Sequence, residues 1–261
     1  MRIEFLTQDD PLYILPFFEE FFREHASEFE VVQISCCRSM GKRSRWKLLR
    51  ELVCLYRPTG FLRLLARGAI SRILAVFPRQ RGSASYYSLA QLCHAYRVPY
   101  QRIGNPNDAE FVRGITERNP GLIVSVACPY ILKGPLLQAA PLGCINIHHA
   151  PLPRYKGMMP TFWQMYHGEK KVGVTVHYMS EKLDEGEVLL QSELEIEPGE
   201  SLDHLIRRSK RHGAHCMAEA LGQIASQRQV VLKADGADGS YFTFPTLEEI
   251  KAFHRRGLRA I

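Results

Sequence analysis

The stretch CINIHHAPLPRYKG, residues 144–157, places Asn146, His148 and His149 at the end of a short apolar run and follows them with two prolines, two basic residues and a glycine. About 40 residues on, HYMSEKLDEGEVLLQ carries His177 and then Asp184 in a glycine-containing loop. An asparagine amide can donate to a developing oxyanion. A histidine can transfer or stabilise charge near neutral pH, and a carboxylate can orient that histidine and take up a proton. Together these groups describe acyl transfer without a nucleophilic serine or cysteine. The plainer alternative is a strand terminus and a proline-rich turn whose polar groups merely satisfy one another. Adjacent residues of a strand point to opposite faces, so His148 and His149 do not read as a metal pair, and no metal is expected.

Reacting groups at strand ends need an α/β frame to hold them. Apolar spacing predicts strands at 3–6 and 29–35, with a helix over 13–25 that has Pro16 in its first turn. Two basic helices follow at 45–57 and 60–77, separated by Pro58 and Gly60. Beyond the polar break RGSAS at 81–85 come a helix over 86–96, a strand at 98–101, and a helix over 108–119 with Asn107 suited to its N-cap. The run GLIVSVA at 121–127 reads as a buried parallel strand, and a short helix leads to a strand at 143–147. Strands at 172–178 and 187–196 precede a long helix, capped by Ser201, that runs to about Ser226. This rhythm predicts a Rossmann-like α/β fold with a doubly wound, mainly parallel sheet. One catalytic domain is expected over 1–229, with the basic segment 42–81 inside it and a C-terminal extension over 230–261.

A chain of 261 residues with 46% hydrophobic residues can bury a sizeable core. Its seven cysteines are odd in number, scattered and without CxxC spacing, which points to reduced, mostly buried thiols. MRIEFLTQDDPLY has acids where a signal peptide needs an apolar stretch, so a cytoplasmic location is expected. Residues 38–81 hold twelve basic residues against the single acid Glu51, a local charge of +11 that leaves −4 for the rest of the formal +7. Basicity this local predicts an anionic partner meeting one face. Alternatively, Trp46, Leu49, Leu52, Val53, Phe61, Leu65, Ile70 and Phe77 form apolar sides that cover the sheet while the arginines face water. Arg63, Arg67 and Arg72 interrupt the apolar run well short of the roughly 18 residues of a membrane span, although an interfacial position stays open without being favoured.

From Gly121 to Gln191, through VACPYILKGPLL, GCINIHHAPLPRYKGMMPTFWQ and GVTVHYMSEKLDEGEVLLQ, the chain resembles the 10-formyltetrahydrofolate-dependent formyltransferases. The resemblance implies a formyltransferase fold, 10-formyltetrahydrofolate as formyl donor, no metal, and direct attack of an acceptor amine on the formyl carbon. Asn146 would bind the oxyanion and His148 stabilise the same charge. Asp184 would orient His148 and a water and help remove the amine proton. Tyr130, Ile131, Leu132, Met179 and Leu183 fall in the segments that cradle the pterin. His149 stands where the family usually carries proline; it and His177 are candidate substrate contacts, as are Arg43 and Arg45 for acceptor phosphates. MMP at 158–160, where small residues are common, implies an altered pocket wall.

The acceptor is expected to be a small primary amine, phosphorylated or nucleotide-linked. The first strand leads into TQDDPLY rather than a glycine-rich phosphate loop, which disfavours glycinamide ribonucleotide. Only some thirty residues follow the long helix, too few for a further domain, so tRNA is expected to be a weak candidate partner. An amino sugar on a nucleotide carrier is the preferred acceptor, ahead of an amino-acid-derived or lipid-linked amine. The same groups would also support hydrolysis of the formyl donor. A non-catalytic membrane-surface or partner-binding role for the basic helices is least favoured.

Overall fold

The central strands are covered on both faces, which is why they read as near-continuous apolar runs rather than alternating ones. The computed structural model describes residues 1–38, 44–228 and 239–261. In it β1 (Arg2–Gln8), β2 (Glu30–Cys37), β3 (Tyr100–Ile103), β4 (Leu122–Val126) and β5 (Cys144–His148) run parallel. β6 (Lys156–Gly157) lies outside this sheet, while β7 (Lys171–Tyr178) and β8 (Val188–Glu195) extend it antiparallel beyond β5. The order β3-β2-β1-β4-β5-β7-β8 reverses direction at β1/β4, so the open crevice of a doubly wound sheet falls at the carboxyl ends of these strands. One charge is buried in the middle of the sheet. Glu4 on β1 is wholly enclosed and accepts 2.8 Å bonds from both Nε and a terminal nitrogen of Arg118.

Helices cover both faces. α1 (Leu15–His25) packs Phe17, Phe18 and Phe21 edge-to-face around Phe5 of β1, alongside α7 (Leu202–Ala225), which buries Ala214, Met217 and Leu221. On the opposite face α4 (Ala109–Arg118) and α5 (Gly134–Leu137) bring Ile115 and Leu136 against Leu6 and Ile123. α3 (Leu89–Tyr96) begins three residues later than its periodicity suggests, because the Ser88 hydroxyl accepts from Gln91 N and fixes the N-cap there. β3 likewise sits two residues downstream of the expected strand. Asn107 does not cap α4, whose N-cap is Asp108. Its side chain instead accepts from Lys133 N and donates to Ile131 O, at 2.8 and 3.0 Å, tying down a distant loop.

The basic segment corrects one expectation more deeply. α2 (Arg45–Leu74) bends at Arg57, whose φ of 56° and ψ of 160° are not helical, as the following Pro58 favours. Its apolar residues do not cover the sheet. Among the described residues Glu51, Leu55, Tyr56, Gly60 and Leu64 are its buried positions, whereas Trp46, Leu49, Leu65, Ile70 and Phe77 are exposed. α2 packs on the C-terminal segment: a Cβ at Gly60 would meet Ile261 Cγ2 at 2.6 Å, and Arg67 grips Asp203 of α7 through 2.9 and 3.1 Å bonds. The expected boundary near Val230 lies outside the described residues. Beyond it β9 (Tyr241–Phe242) pairs with β6, and α8 (Leu247–Arg255) buries Ile250 and Phe253 with Phe162 and Trp163 of α6 (Pro160–His167). A capping box between Thr246 and Glu249 starts α8.

Candidate active site

β5 carries Asn146 and His148 two residues apart, so both side chains leave the same face of the sheet at its carboxyl end. The β7–β8 connection then folds back over them. Gly186 allows this, since a Cβ there would lie 1.6 Å from the Tyr178 carbonyl oxygen. Asp184, in the left-handed region at φ 52°, is held by Gly157 N, which donates to its Oδ2 at 3.0 Å. Lys156 Nζ bonds Glu185 at 2.9 Å and fixes the same loop.

His148 Nε2 donates to the Tyr155 carbonyl at 2.8 Å, a bond only an N–H can make, and this turns Nδ1 toward Asp184. The separation of Nδ1 and Asp184 Oδ2 is 3.7 Å, and the other carboxylate oxygen lies 3.9 Å from His177 Nε2. His177 Nδ1 donates to the Tyr178 carbonyl at 2.8 Å, so its Nε2 accepts from Asn146 Nδ2 at 3.2 Å. Burial lowers the His177 pKa, against the Tyr178 bond and the Asp184 charge that oppose it. The neutral ring is the form that this pair of bonds requires.

These groups surround one cavity of about 240 Å³. Its other walls are the 127–132 and 179–184 segments, joined where Gly134 N donates to Glu181 at 3.0 Å. Asn146, His148, His149, His177 and Asp184 all line it, together with Tyr130, Ile131, Leu132, Met179 and Leu183. Apolar Ile131, Leu132, Met179 and Leu183 beside the Asn146 amide suit a flat heteroaromatic ring with polar edges, so the residues present fit the head of a folate. Arg43 lies outside the described residues. Arg45 opens α2, which lends no described residue to the cavity.

His149 faces the other way from His148. It shares a 2.8 Å hydrogen bond with Ser209 of α7, and a Cβ at Gly213 would meet its ring at 2.9 Å, so glycine is what lets the helix approach. Burial drives its pKa well below the ordinary value, with the nearby Lys210, His148 and His212 adding to the effect. Its Nε2 is buried without a hydrogen-bond partner among the described residues.

Sequence reasoning missed Lys210, which also lines the cavity. Its stem is partly exposed, but the surroundings of its ammonium lower the pKa to about 8, mainly by desolvation, with Asp10 opposing. Nothing marks it out among Arg207, Arg208 and Arg211 on the same helix. Asp10 in turn accepts from Leu12 N and Tyr13 N at 2.9 and 3.0 Å and lines a second groove, of about 990 Å³. That groove runs from the end of β1 to α2 and includes Tyr13, Tyr56, Tyr87, Tyr100, Arg72 and Arg102.

Solved structures share this frame. Over 90% of this chain and 92% of its own, glycinamide ribonucleotide transformylase 1 from Symbiobacterium toebii superposes with a TM-score of 0.60 at 18% identity. A sugar N-formyltransferase from Shewanella sp FDAARGOS_354 does so over 94% and 77%, with a TM-score of 0.56 at 19% identity. At such identities the likeness is one of fold. In sequence, the methionyl-tRNA formyltransferase of Syntrophus aciditrophicus (strain SB) is 39% identical over 127 residues, 49% of this chain and 41% of that protein. The enzyme of the same name from Pelobacter propionicus (strain DSM 2379 / NBRC 103807 / OttBd1) is 35% identical over 171 residues, 63% of this chain and 53% of that one. The chain therefore spans about half the length of the curated relatives it matches. Kinship with proteins of that name overturns the expectation that tRNA is a weak candidate partner, which had leaned on where the chain stops. The family described as formyl transferase matches residues 77–221, more than half of the chain and the whole stretch that builds the cavity from Ser125 to Lys210, and the chain belongs to that family.

Proposed function

We propose that the chain transfers the formyl group of 10-formyltetrahydrofolate to a primary amine. The observation that carries this reading is the convergence of Asn146, His148, His177 and Asp184 on one cavity with a largely apolar cradle beside them. The cavity is smaller than the roughly 300–1,000 Å³ of typical ligand clefts, so the pterin head would sit inside and the rest of the donor along the mouth. The donor supplies an electrophilic formyl carbon. As the amine lone pair adds to it, the carbonyl electron pair moves onto oxygen, where the Asn146 amide can turn from His177 to donate. His148, anchored through Nε2, stabilises the same charge as an imidazolium, with its second proton on Nδ1 beside Asp184. Asp184 faces both rings and takes the amine proton directly or through a water. The bond from carbon to the folate nitrogen then breaks, and that nitrogen keeps the electron pair and receives the proton.

For the acceptor, our first reading is an amino sugar on a nucleotide carrier. The tyrosines of the 990 Å³ groove offer faces for a base, Arg72 and Arg102 offer partners for phosphates, and the charge of Asp10 in the groove acts on Lys210, which lines the cavity. The second reading, favoured by the sequence kinship, is an aminoacyl-tRNA. The deciding experiment offers 10-formyltetrahydrofolate with nucleotide-linked amino sugars and with methionyl-tRNA in parallel, and follows tetrahydrofolate and formylated mass. Formate released with no amine present would replace transfer by hydrolysis, and no turnover of the donor under any condition would refute both.

A further inference from the structure

The second half of α2 is apolar on two opposite faces. Gly60, Leu64 and Leu74 face the protein, and Arg67 on that side is committed to Asp203. Leu62, Ala66, Ile70 and Ile73 recur at helical spacing on a second side, away from the acceptor groove, and Val76 continues the row past the helix end. Leu62 and Ile73 are each 63% exposed and Val76 76%. At 1.5 Å per residue, Leu62 to Ile73 alone spans about 16 Å of uncovered apolar surface. On a helical projection of 100° per residue, Arg63 falls beside Ile70 at the edge of this row, and it is not paired with a carboxylate among the described residues. The surrounding segment 44–81 holds one acid, the buried Glu51.

We infer that this outer face of α2 docks on an anionic lipid surface, with Leu62, Ile70, Ile73 and Val76 in the interfacial layer and Arg63 at the headgroups. Aliphatic rows bordered by arginine match both parts of such a surface, the acyl boundary and the anionic headgroups. A nucleic acid would leave the aliphatic row unsatisfied, because bases stack on aromatic faces and phosphates meet cations. A second copy of the chain, meeting through the same face, would set the arginines against one another. Among the described residues no helix is long and apolar enough to cross a membrane, so the contact is interfacial.

The test is vesicle flotation of the whole chain with phosphatidylcholine alone and with added phosphatidylglycerol. The protein is expected to float with the anionic vesicles only and to be released by salt. Leu62→Gln with Ile73→Gln should weaken partitioning roughly a hundredfold, about tenfold for each partly buried side chain. Arg63→Glu, which changes the local charge by two, should weaken it about thirtyfold. Both variants should keep the wild-type melting temperature, since these side chains touch no core. Failure of the wild type to float, or flotation of the Leu62/Ile73 variant at the wild-type level, overturns the inference. So does concentration-dependent self-association that the apolar pair abolishes while vesicles are ignored, which would make the face an interface between copies. Retention of bulk tRNA that is lost in Arg63→Glu, kept in the apolar pair and accompanied by no flotation would assign the face to RNA instead.

Discussion

Asp184→Asn separates chemistry from folding. The amide keeps an oxygen to accept from Gly157 N, now 3.0 Å from Oδ2, so the loop that Gly186 and Lys156 help to close retains its anchor. What disappears is a negative charge 3.7 Å from His148 Nδ1 and 3.9 Å from His177 Nε2. At an effective dielectric near 20, a unit charge about 4 Å from an imidazolium contributes about 4 kcal/mol. Full loss of that stabilisation in the transition state would slow turnover about 1000-fold. Some is recovered by solvent and by the amide dipole, so the expected fall in kcat is on the order of 100- to 1000-fold. The melting temperature should move by less than about 3 °C, equivalent to under about 1 kcal/mol for a domain of this size. The assay is tetrahydrofolate formation at saturating donor, beside a thermal melt and a folate titration. A variant that folds, binds folate and turns over within tenfold of wild type would refute the role assigned to Asp184.

Asn146→Ala removes the amide donor and should lower kcat on the order of 100- to 1000-fold. Combined with His148→Ala, the losses should fall well short of additive, which kcat/KM of the two single variants and the double would reveal. His149 has a pKa depressed in the folded state, so the unfolded chain binds more protons at acid pH. Stability should therefore be fully present above the unfolded value near 6.5 and fall below it, by up to about 1.4 kcal/mol per pH unit for this group, and urea melts of His149→Gln should show a flatter profile. Arg118→Ala strands the enclosed Glu4 carboxylate and should cost about 3–5 kcal/mol in urea unfolding, a loss that adding Glu4→Gln should partly reverse.

Much of the placement of the candidate site is legible in the sequence because its residues lie at or near strand ends. Asn146 and His148 sit at alternate positions of an apolar run, and Asp184 sits in a loop whose glycine signals a close turn; both patterns follow from the two-residue period of a strand and the steric freedom of glycine. The strand and helix rhythm is legible for the same reason, with errors where a hydrogen bond rather than periodicity fixes the boundary, as at Ser88 and Asn107. Which groups meet is another matter. The bond from His148 to the Tyr155 carbonyl, the turn of His149 toward Ser209, and the arrival of Lys210 from a helix 60 residues away depend on how layers pack, and no local pattern encodes a partner. α2 shows the limit most clearly. Its apolar spacing satisfies two faces of one helix equally well, and only the tertiary structure decided that Gly60 and Leu64 meet the protein while Leu62 and Ile73 meet the outside, because periodicity defines a stripe but the shape of the neighbouring surface chooses which stripe it covers.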